Sequence, residues 1–226
     1  VPETPGAPGD PPSAPLEPPN PDAGFDHLRL VLEESGRRGL LGGDPEHHIR
    51  HSEIFARLIR QRSPTPSNLL DLGAGGGVPG LVLSILLERS TVVLLDASSR
   101  RCRFLEWAVT ELGMTERVSV VHGRAEDLAR GELRQGFDVA TSRSFGPPAV
   151  TAECTRGFLV DGGVLVVSDP PAPGSRWPIG ALGDMGYGPP HHVVVEGQHF
   201  TLIEAIGTCP EELPRRNGVP GRRPRF

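Results

Sequence analysis

The stretch Asn68-Leu-Leu-Asp-Leu-Gly-Ala-Gly-Gly-Gly-Val-Pro-Gly80 decides the fold. An apolar run, Leu69 to Leu72, breaks into a glycine cluster, and a helical pattern follows from Gly80 to Glu88. Strand, glycine turn and helix open a nucleotide-binding α/β unit. Gly73, Gly75 and Gly77 present no side chain to a ligand and can adopt φ > 0. The next apolar run, Thr91 to Leu95, ends in Asp96, nineteen residues after Gly77. An acid at that place accepts hydrogen bonds from the two hydroxyls of a ribose.

A G-x-G-x-G pattern alone is weak, because chance glycine turns match it. Asp71 just before the glycines, Asp96 at the end of the next strand and Pro79 at the helix start strengthen it. The spacing departs from the dinucleotide G-x-G-x-x-G, although Gly76 and Gly80 blur the count. Together these features favour S-adenosyl-L-methionine, whose amino acid end has no pyrophosphate to cradle, over NAD.

Downstream, Val118 to Val121 reads as the third strand, followed by His122-Gly-Arg-Ala-Glu-Asp127, the loop that lies over an adenine in this arrangement. Phe137 to Ser142 is the fourth strand and ends in Arg143. The turn Asp161-Gly-Gly163 introduces the fifth, Val164 to Val167, and the stretches 192–196 and 200–205 form a closing hairpin. Between strands two and three, Ser98 or Ser99 caps a helix with Cys102, Leu105, Val109 and Leu112 on one face. Arg100, Arg101 and Arg103 take the other side, as a solvated face or a phosphate-facing patch. Strands alternating with helices imply a parallel sheet with an antiparallel edge; with the preference for S-adenosyl-L-methionine, the expected fold is α/β, a Rossmann-like sheet of the class I methyltransferase kind. Ligands bind at the carboxyl ends of such strands, where the glycine turn, Asp96, Ala125-Glu126 and Arg143 converge.

Upstream, residues 1–22 hold nine prolines and are expected to be a disordered tail. Residues 23–64 form a small helical extension, with a stripe of Phe25, Leu28, Val31 and Leu32 and a second helix from Pro45 to Arg62. Within it His47 and His51 lie one turn apart; the sequence is not H-E-x-x-H, so polar surface is favoured over a metal pair. Residues 65–209 make the methyltransferase core. The tail 210–226 carries five arginines after Leu213 and no acid there, as a disordered basic end or a phosphate-contacting arm.

The 226 residues suffice for one such domain. A net charge of -5 does not advertise nucleic-acid binding by the chain as a whole, and all 23 basic residues are arginine, so each basic site can grip phosphate bidentately. Cys102, Cys154 and Cys209 show neither pairing nor metal spacing, which suits a reducing cytoplasm. Without a signal peptide or a span-length apolar run, the expectation is a cytoplasmic monomer with no membrane partner.

At the level of motifs the chain resembles the bacterial 16S ribosomal RNA guanine-N7 methyltransferases, the glucose-inhibited division protein B family. The segment Asp71 to Gly80 is similar to that family's D-[IL]-G-S-G-A-G-[LF]-P-G box. The likeness continues through Leu95-Asp-Ala-Ser-Ser-Arg-Arg-Cys-Arg-Phe-Leu105, Glu111-Leu-Gly-Met114, His122 to Glu126 and Phe137 to Arg143. It reaches Pro214-Arg-Arg-Asn-Gly-Val-Pro-Gly-Arg-Arg-Pro224, and upstream Arg50-His51 falls where the family has an R-H pair. The resemblance implies that Gly73, Gly75, Gly77 and Val78 line the methionine and ribose of S-adenosyl-L-methionine, and that Asp96 holds the ribose. It further implies that Ala125 and Glu126 flank the adenine and that Arg143 borders cofactor and incoming base. Arg50, His51, Arg215 and Arg216 are the candidates for contact with small-subunit ribosomal RNA or the 30S particle. No catalytic residue is assigned, since guanine N7 has a free lone pair and no proton to lose.

Four departures bear on the substrate. The family's lysine after the fifth strand, in L-K-G, is replaced by Val166-Val-Ser-Asp-Pro170, and a basic residue after the last strand by Ala205-Ile-Gly-Thr208. The W-N-x-x-x-N-L-T segment before Arg50 is missing, and Ile54 stands where an Asp or Asn is usual. These leave open an enzyme acting on a small molecule, or a cofactor-binding protein without catalysis.

Overall fold

The computed structural model describes residues 21–63, 65–171 and 176–226. The expected disordered tail therefore lies outside the described residues, apart from Pro21 and Asp22, which open the first helix. Helices α1 (Pro21–Arg37) and α2 (Pro45–Arg62) precede strand β1 (Asn68–Leu72), α3 (Gly80–Leu86), β2 (Thr91–Asp96) and α4 (Ser99–Glu111). There follow β3 (Val118–His122), α5 (Ala125–Leu128), β4 (Phe137–Arg143), α6 (Pro148–Arg156), β5 (Leu159–Asp169) and α7 (Ile179–Gly183). The hairpin β6 (His191–Val195) and β7 (Gln198–Glu204) and a last turn of helix, α8 (Val219–Arg222), complete the order.

Local chemistry sets the boundaries. Helix α2 starts where the Asp44 carboxylate accepts the Glu46 N–H at 3.1 Å and Pro45 supplies a preset φ. At α4 neither expected serine hydroxyl caps the helix. The Asp96 carboxylate accepts the Ser98 N–H at 2.8 Å instead, which keeps the serine side chain out of the cap. The expected turn Asp161-Gly-Gly163 lies inside β5: Gly162 takes φ +76° and the pairing with β4 slips between Phe137 and Val139. The glycines make a bulge rather than a break, so the strand begins earlier than its apolar run.

The seven strands order as β3-β2-β1-β4-β5-β7-β6. All neighbours are parallel except β7, which runs antiparallel to both β5 and β6. The runs Leu69–Leu72 and Val92–Leu95 are buried on both faces, as central parallel strands require. One core lies under α1–α4, where Leu28, Leu32, Phe55 and Ile59 meet Leu81 and Phe104. The other lies under α5–α7, where Ala152, Phe158, Trp177 and Leu182 meet Leu213 near the chain's C-terminal segment. The order in which strands are added reverses between β1 and β4, so the carboxyl ends of β1, β2 and β4 open onto one crevice. Among the described residues, no helix is long and apolar enough to cross a membrane.

Candidate functional site: a glycine cradle and two adjoining cavities

The glycine turn is bound to the second strand from both directions. The N–H groups of Gly73 and Ala74 donate to the Leu95 carbonyl at 2.8 and 2.9 Å. The Asp96 carboxylate accepts the Gly75 N–H at 3.0 Å. Below the turn, buried Asp71 accepts from the Gly80 N–H at 2.9 Å and the Thr141 hydroxyl at 3.0 Å, fixing the turn to α3 and β4. Burial pushes the Asp71 carboxyl up to about 7, against those two hydrogen bonds. Gly73, at φ +75°, faces the ring of Phe145; a Cβ there would stand 2.8 Å from the ring. Gly76, which the spacing argument left ambiguous, is packed from outside. A Cβ would come within 2.7 Å of the Ser35 hydroxyl and 2.8 Å of the Leu40 carbonyl, and the Ser35 hydroxyl donates to the Gly76 carbonyl at 3.0 Å. The Val78 side chain belongs to the apolar core at 7% exposure, so only its backbone is available to a ligand.

A cavity of about 190 Å³ opens above this turn, lined among others by Gly73, Asp96, Ala125, Glu126, Ser144 and Phe145. Asp96 is 3% exposed, with Arg101 at 3.5 Å from one oxygen. A carboxylate has about four lone-pair sites, so with two N–H donors in place it can still accept ribose hydroxyls. Gly73, Ala125 and Phe145 give the cavity small and apolar walls, and Asp96, Arg101, Arg124 and Glu126 give it polar ones, a mixture that fits the adenosine part of S-adenosyl-L-methionine. Glu126 has a second partner outside the cavity. Its carboxylate accepts the Gly218 N–H at 3.0 Å and lies 3.3 Å from the Arg124 guanidinium. Burial raises its carboxyl, but those partners and its own N–H outweigh it and hold the group below its ordinary value.

A second cavity of about 320 Å³ lies between the ends of β4 and β5, bordered by Arg143, Thr151, Ser168, Asp169, Arg176 and Trp177. Ser144 and Phe145 line both cavities. Ser144 stands at φ +58°, a left-handed conformation that turns the chain from the β4 end into this shared wall. The Arg143 guanidinium donates to His48 Nδ1 at 3.0 Å, and His48 Nε2 contacts the Gly42 carbonyl at 2.5 Å. The acceptor role at Nδ1 puts the ring proton on Nε2, where it donates to Gly42. Burial, together with the Arg143 charge, lowers the His48 pKa and keeps that neutral form. His48 is a functional neighbour that the helical spacing of His47 and His51 did not single out; its signal was adjacency in space to Arg143, 95 residues away.

The four RNA candidates fall into different settings. Arg50 is exposed on α2, 3.7 Å from Glu46. His51 is not at the surface: it is 7% exposed, stacked on Phe200 at 5.1 Å and hydrogen-bonded through Nδ1 to Gln198. Burial and the nearby Arg143 charge drop its pKa to about 4. Both the polar-surface reading and an RNA contact at His51 are overturned by that burial. Arg215 grips fully buried Glu153 through Nε at 2.8 Å and through a second nitrogen at 2.6 Å. Arg216 is exposed beside it. The segment 213–226 is therefore folded against α5 and α6 rather than left as a free basic end, with Asn217 also donating to Asp127 at 3.0 Å.

Known proteins share these features. The model of the family GidB, rRNA small subunit methyltransferase G, matches residues 45–168, more than half of the chain. The ribosomal RNA small subunit methyltransferase G of Frankia alni is 32% identical over 234 residues, covering 95% of this chain and 86% of the relative. That of Clostridium perfringens is 34% identical over 166 residues and 69% of each chain. Among solved structures, an O-methyltransferase from Bacillus cereus in complex with SAH superposes with a TM-score of 0.58 at 17% identity, over 84% of this chain and 93% of its own. That likeness shows the class I methyltransferase fold and nothing narrower. The chain belongs to the rRNA small subunit methyltransferase G family of S-adenosyl-L-methionine-dependent enzymes.

Proposed function

We propose that the protein transfers a methyl group from S-adenosyl-L-methionine to N7 of a guanine in small-subunit ribosomal RNA, as a cytoplasmic monomer acting on the RNA or the 30S particle. The observation that carries this reading is the pair of cavities that share the Ser144–Phe145 wall, one lined by the glycine turn and Asp96, the other by Arg143. In it Gly73, Gly75, Gly77 and the Val78 backbone line the methionine and ribose, Asp96 accepts from the ribose hydroxyls, and Ala125 and Glu126 flank the adenine. The cofactor supplies an electrophilic methyl on a sulfonium. The protein's share is placement. Guanine N7 attacks with its own lone pair and no general base is needed, so holding that lone pair in line with the methyl can supply roughly 7–11 kcal/mol of the barrier. Arg143 is suited to donate to guanine O6, the acceptor beside N7. Its tie to neutral His48 orients the guanidinium without cancelling its charge. Arg50 and Arg216 are the outer contacts to RNA phosphates, and Arg215 holds the arm that carries Arg216.

Transfer of labelled methyl to unmodified small-subunit RNA and to 30S particles lacking the mark tests the reading, with nuclease digestion identifying the nucleoside. Labelled 7-methylguanosine is the expected product. A different labelled nucleoside, or no label while cofactor binding persists, would overturn it.

A further inference from the structure

In the sequence, the cation expected after the fifth strand is absent and Asp169 stands there instead. In space a cation stands beside it: the Arg176 guanidinium donates to Asp169 Oδ1 at 2.9 Å, at the rim of the 320 Å³ cavity. Asp169 itself cannot turn away. Its other oxygen accepts from the buried Trp177 indole at 2.9 Å and from the Thr201 hydroxyl, and the residue is 8% exposed. Thr201 in turn is held by His192 Nδ1 at 2.9 Å from the edge strand β6. Trp177, and Thr201 backed by His192, therefore fix one carboxylate, and that carboxylate fixes one guanidinium.

The Arg176 side chain is 36% exposed, and among the described residues its one side-chain partner is Asp169. A guanidinium has five N–H donors in a rigid fork. One is used by Asp169 Oδ1, which leaves donors directed by a clamped carboxylate rather than by a flexible stem. Arg143, the other cation of this cavity, is oriented by His48 and sits deeper, at the cofactor junction. The cavity thus has an inner cation and an outer one. The outer one matches an anion attached to whatever occupies the cavity, which for a nucleotide is its phosphate.

We infer that Arg176, positioned by Asp169, contacts a backbone phosphate of the target nucleotide and supplies a cation beside the end of β5. The inference rests on the RNA reading above. Arg176 is a binding residue and Asp169 a positioning residue. Neither is assigned a part in the methyl transfer itself.

The test uses the full chain and an in vitro transcript of unmodified small-subunit RNA, with affinity measured across a salt series. Losing one phosphate contact should lower the slope of log affinity against log salt by about 0.7–0.9. Between roughly 50 and 200 mM salt, the affinity of Arg176→Ala should therefore fall about three-fold less than that of the wild type. Arg176→Lys should keep the wild-type slope. Asp169→Asn should keep the slope, because the charge remains, but raise KM for RNA with kcat and cofactor affinity little changed. If Arg176→Ala does not fold, Arg176→Gln replaces it against Arg176→Lys. An unchanged slope in a folded Ala or Gln variant would overturn the inference and leave the pair as a loop-closing ion pair. Failure of the RNA reading has a separate signature, the absence of labelled 7-methylguanosine with the wild-type enzyme.

Discussion

Residues 21–62 and residues 209–226 cover opposite faces of the same sheet, and they hold on by different chemistry. The first segment is apolar where it docks: Leu28, Val31, Leu32, Ile49, Phe55 and Ile59 are all nearly inaccessible to solvent. Its polar reaches into the site include the Ser35 hydroxyl on the Gly76 carbonyl and His48 Nδ1 on the Arg143 guanidinium. The second segment buries Cys209, Leu213 and Pro220 but is anchored by charge, through Arg215 on Glu153 and Gly218 on Glu126. An apolar seal is insensitive to salt and intolerant of lost volume. A charge-assisted latch tolerates volume changes and responds to ionic conditions. Each therefore predicts its own way of failing.

The largest expected effect is on the apolar side. Phe55→Ala, at a residue with no exposure, should cost about 3–5 kcal/mol in urea unfolding, since the hole left beside Phe200 cannot fully collapse. A loss under about 1 kcal/mol would mean that α2 is not part of one cooperative core.

Acid separates the two sides next. His51 is held neutral, with its folded pKa near 4 against about 6.5 unfolded, so below the unfolded value the unfolded chain takes up a proton that the folded one refuses. Its part of the stability is complete above about pH 6.5 and is lost as the pH falls towards 4. The difference between wild type and His51→Gln should isolate a slope of about 2–3 kcal/mol over that window. Glu126 loses its part in the same direction but lower in pH: its depressed carboxyl contributes above the unfolded value of about 4.3 and is lost only in stronger acid. Parallel pH profiles for wild type and His51→Gln would remove the buried-histidine account.

The smallest effect belongs to the latch. Glu153→Gln should cost about 1–2 kcal/mol, because Arg215 is partly exposed and can turn to water. The clearer readout is limited trypsin digestion, in which Arg215 and Arg216 should be cut several-fold faster than in the wild type. Equal rates would show that the arm is held without the Glu153 contact, by Leu213, Pro220 and its bonds to Glu126 and Asp127.

How far the sequence reached follows from how local each signal is. The glycine turn, the strand runs and the bounds of α2 were legible because caps, turns and apolar runs act within a few residues of themselves. Asp96 and Arg143 were legible as strand-end positions, and the crevice rule brought them together. What stayed hidden depends on distant partners. Gly76 is required by Ser35 and Leu40, some forty residues upstream, and no pattern inside the turn announces that. The helical spacing of His47 and His51 drew notice to the wrong ring, since His48 alone reaches Arg143. The basic tail looked unpartnered because its acid, Glu153, lies 62 residues earlier on α6. The lost lysine reads as a lost cation because the residues of the strand do not show that Arg176 donates to Asp169 at its end.

The arm's contact order gives the fold a timetable. Glu153 precedes Arg215 by 62 residues, so at about 5–20 residues per second roughly 3 to 12 seconds of synthesis separate the carboxylate from its guanidinium. During that interval the whole parallel sheet can pair, while the α5–α6 face waits, wet and half-built, for residues not yet made. Glu126 waits with it for the Gly218 N–H. The nascent chain thus has its glycine turn long before the wall of the cofactor slot has its last support.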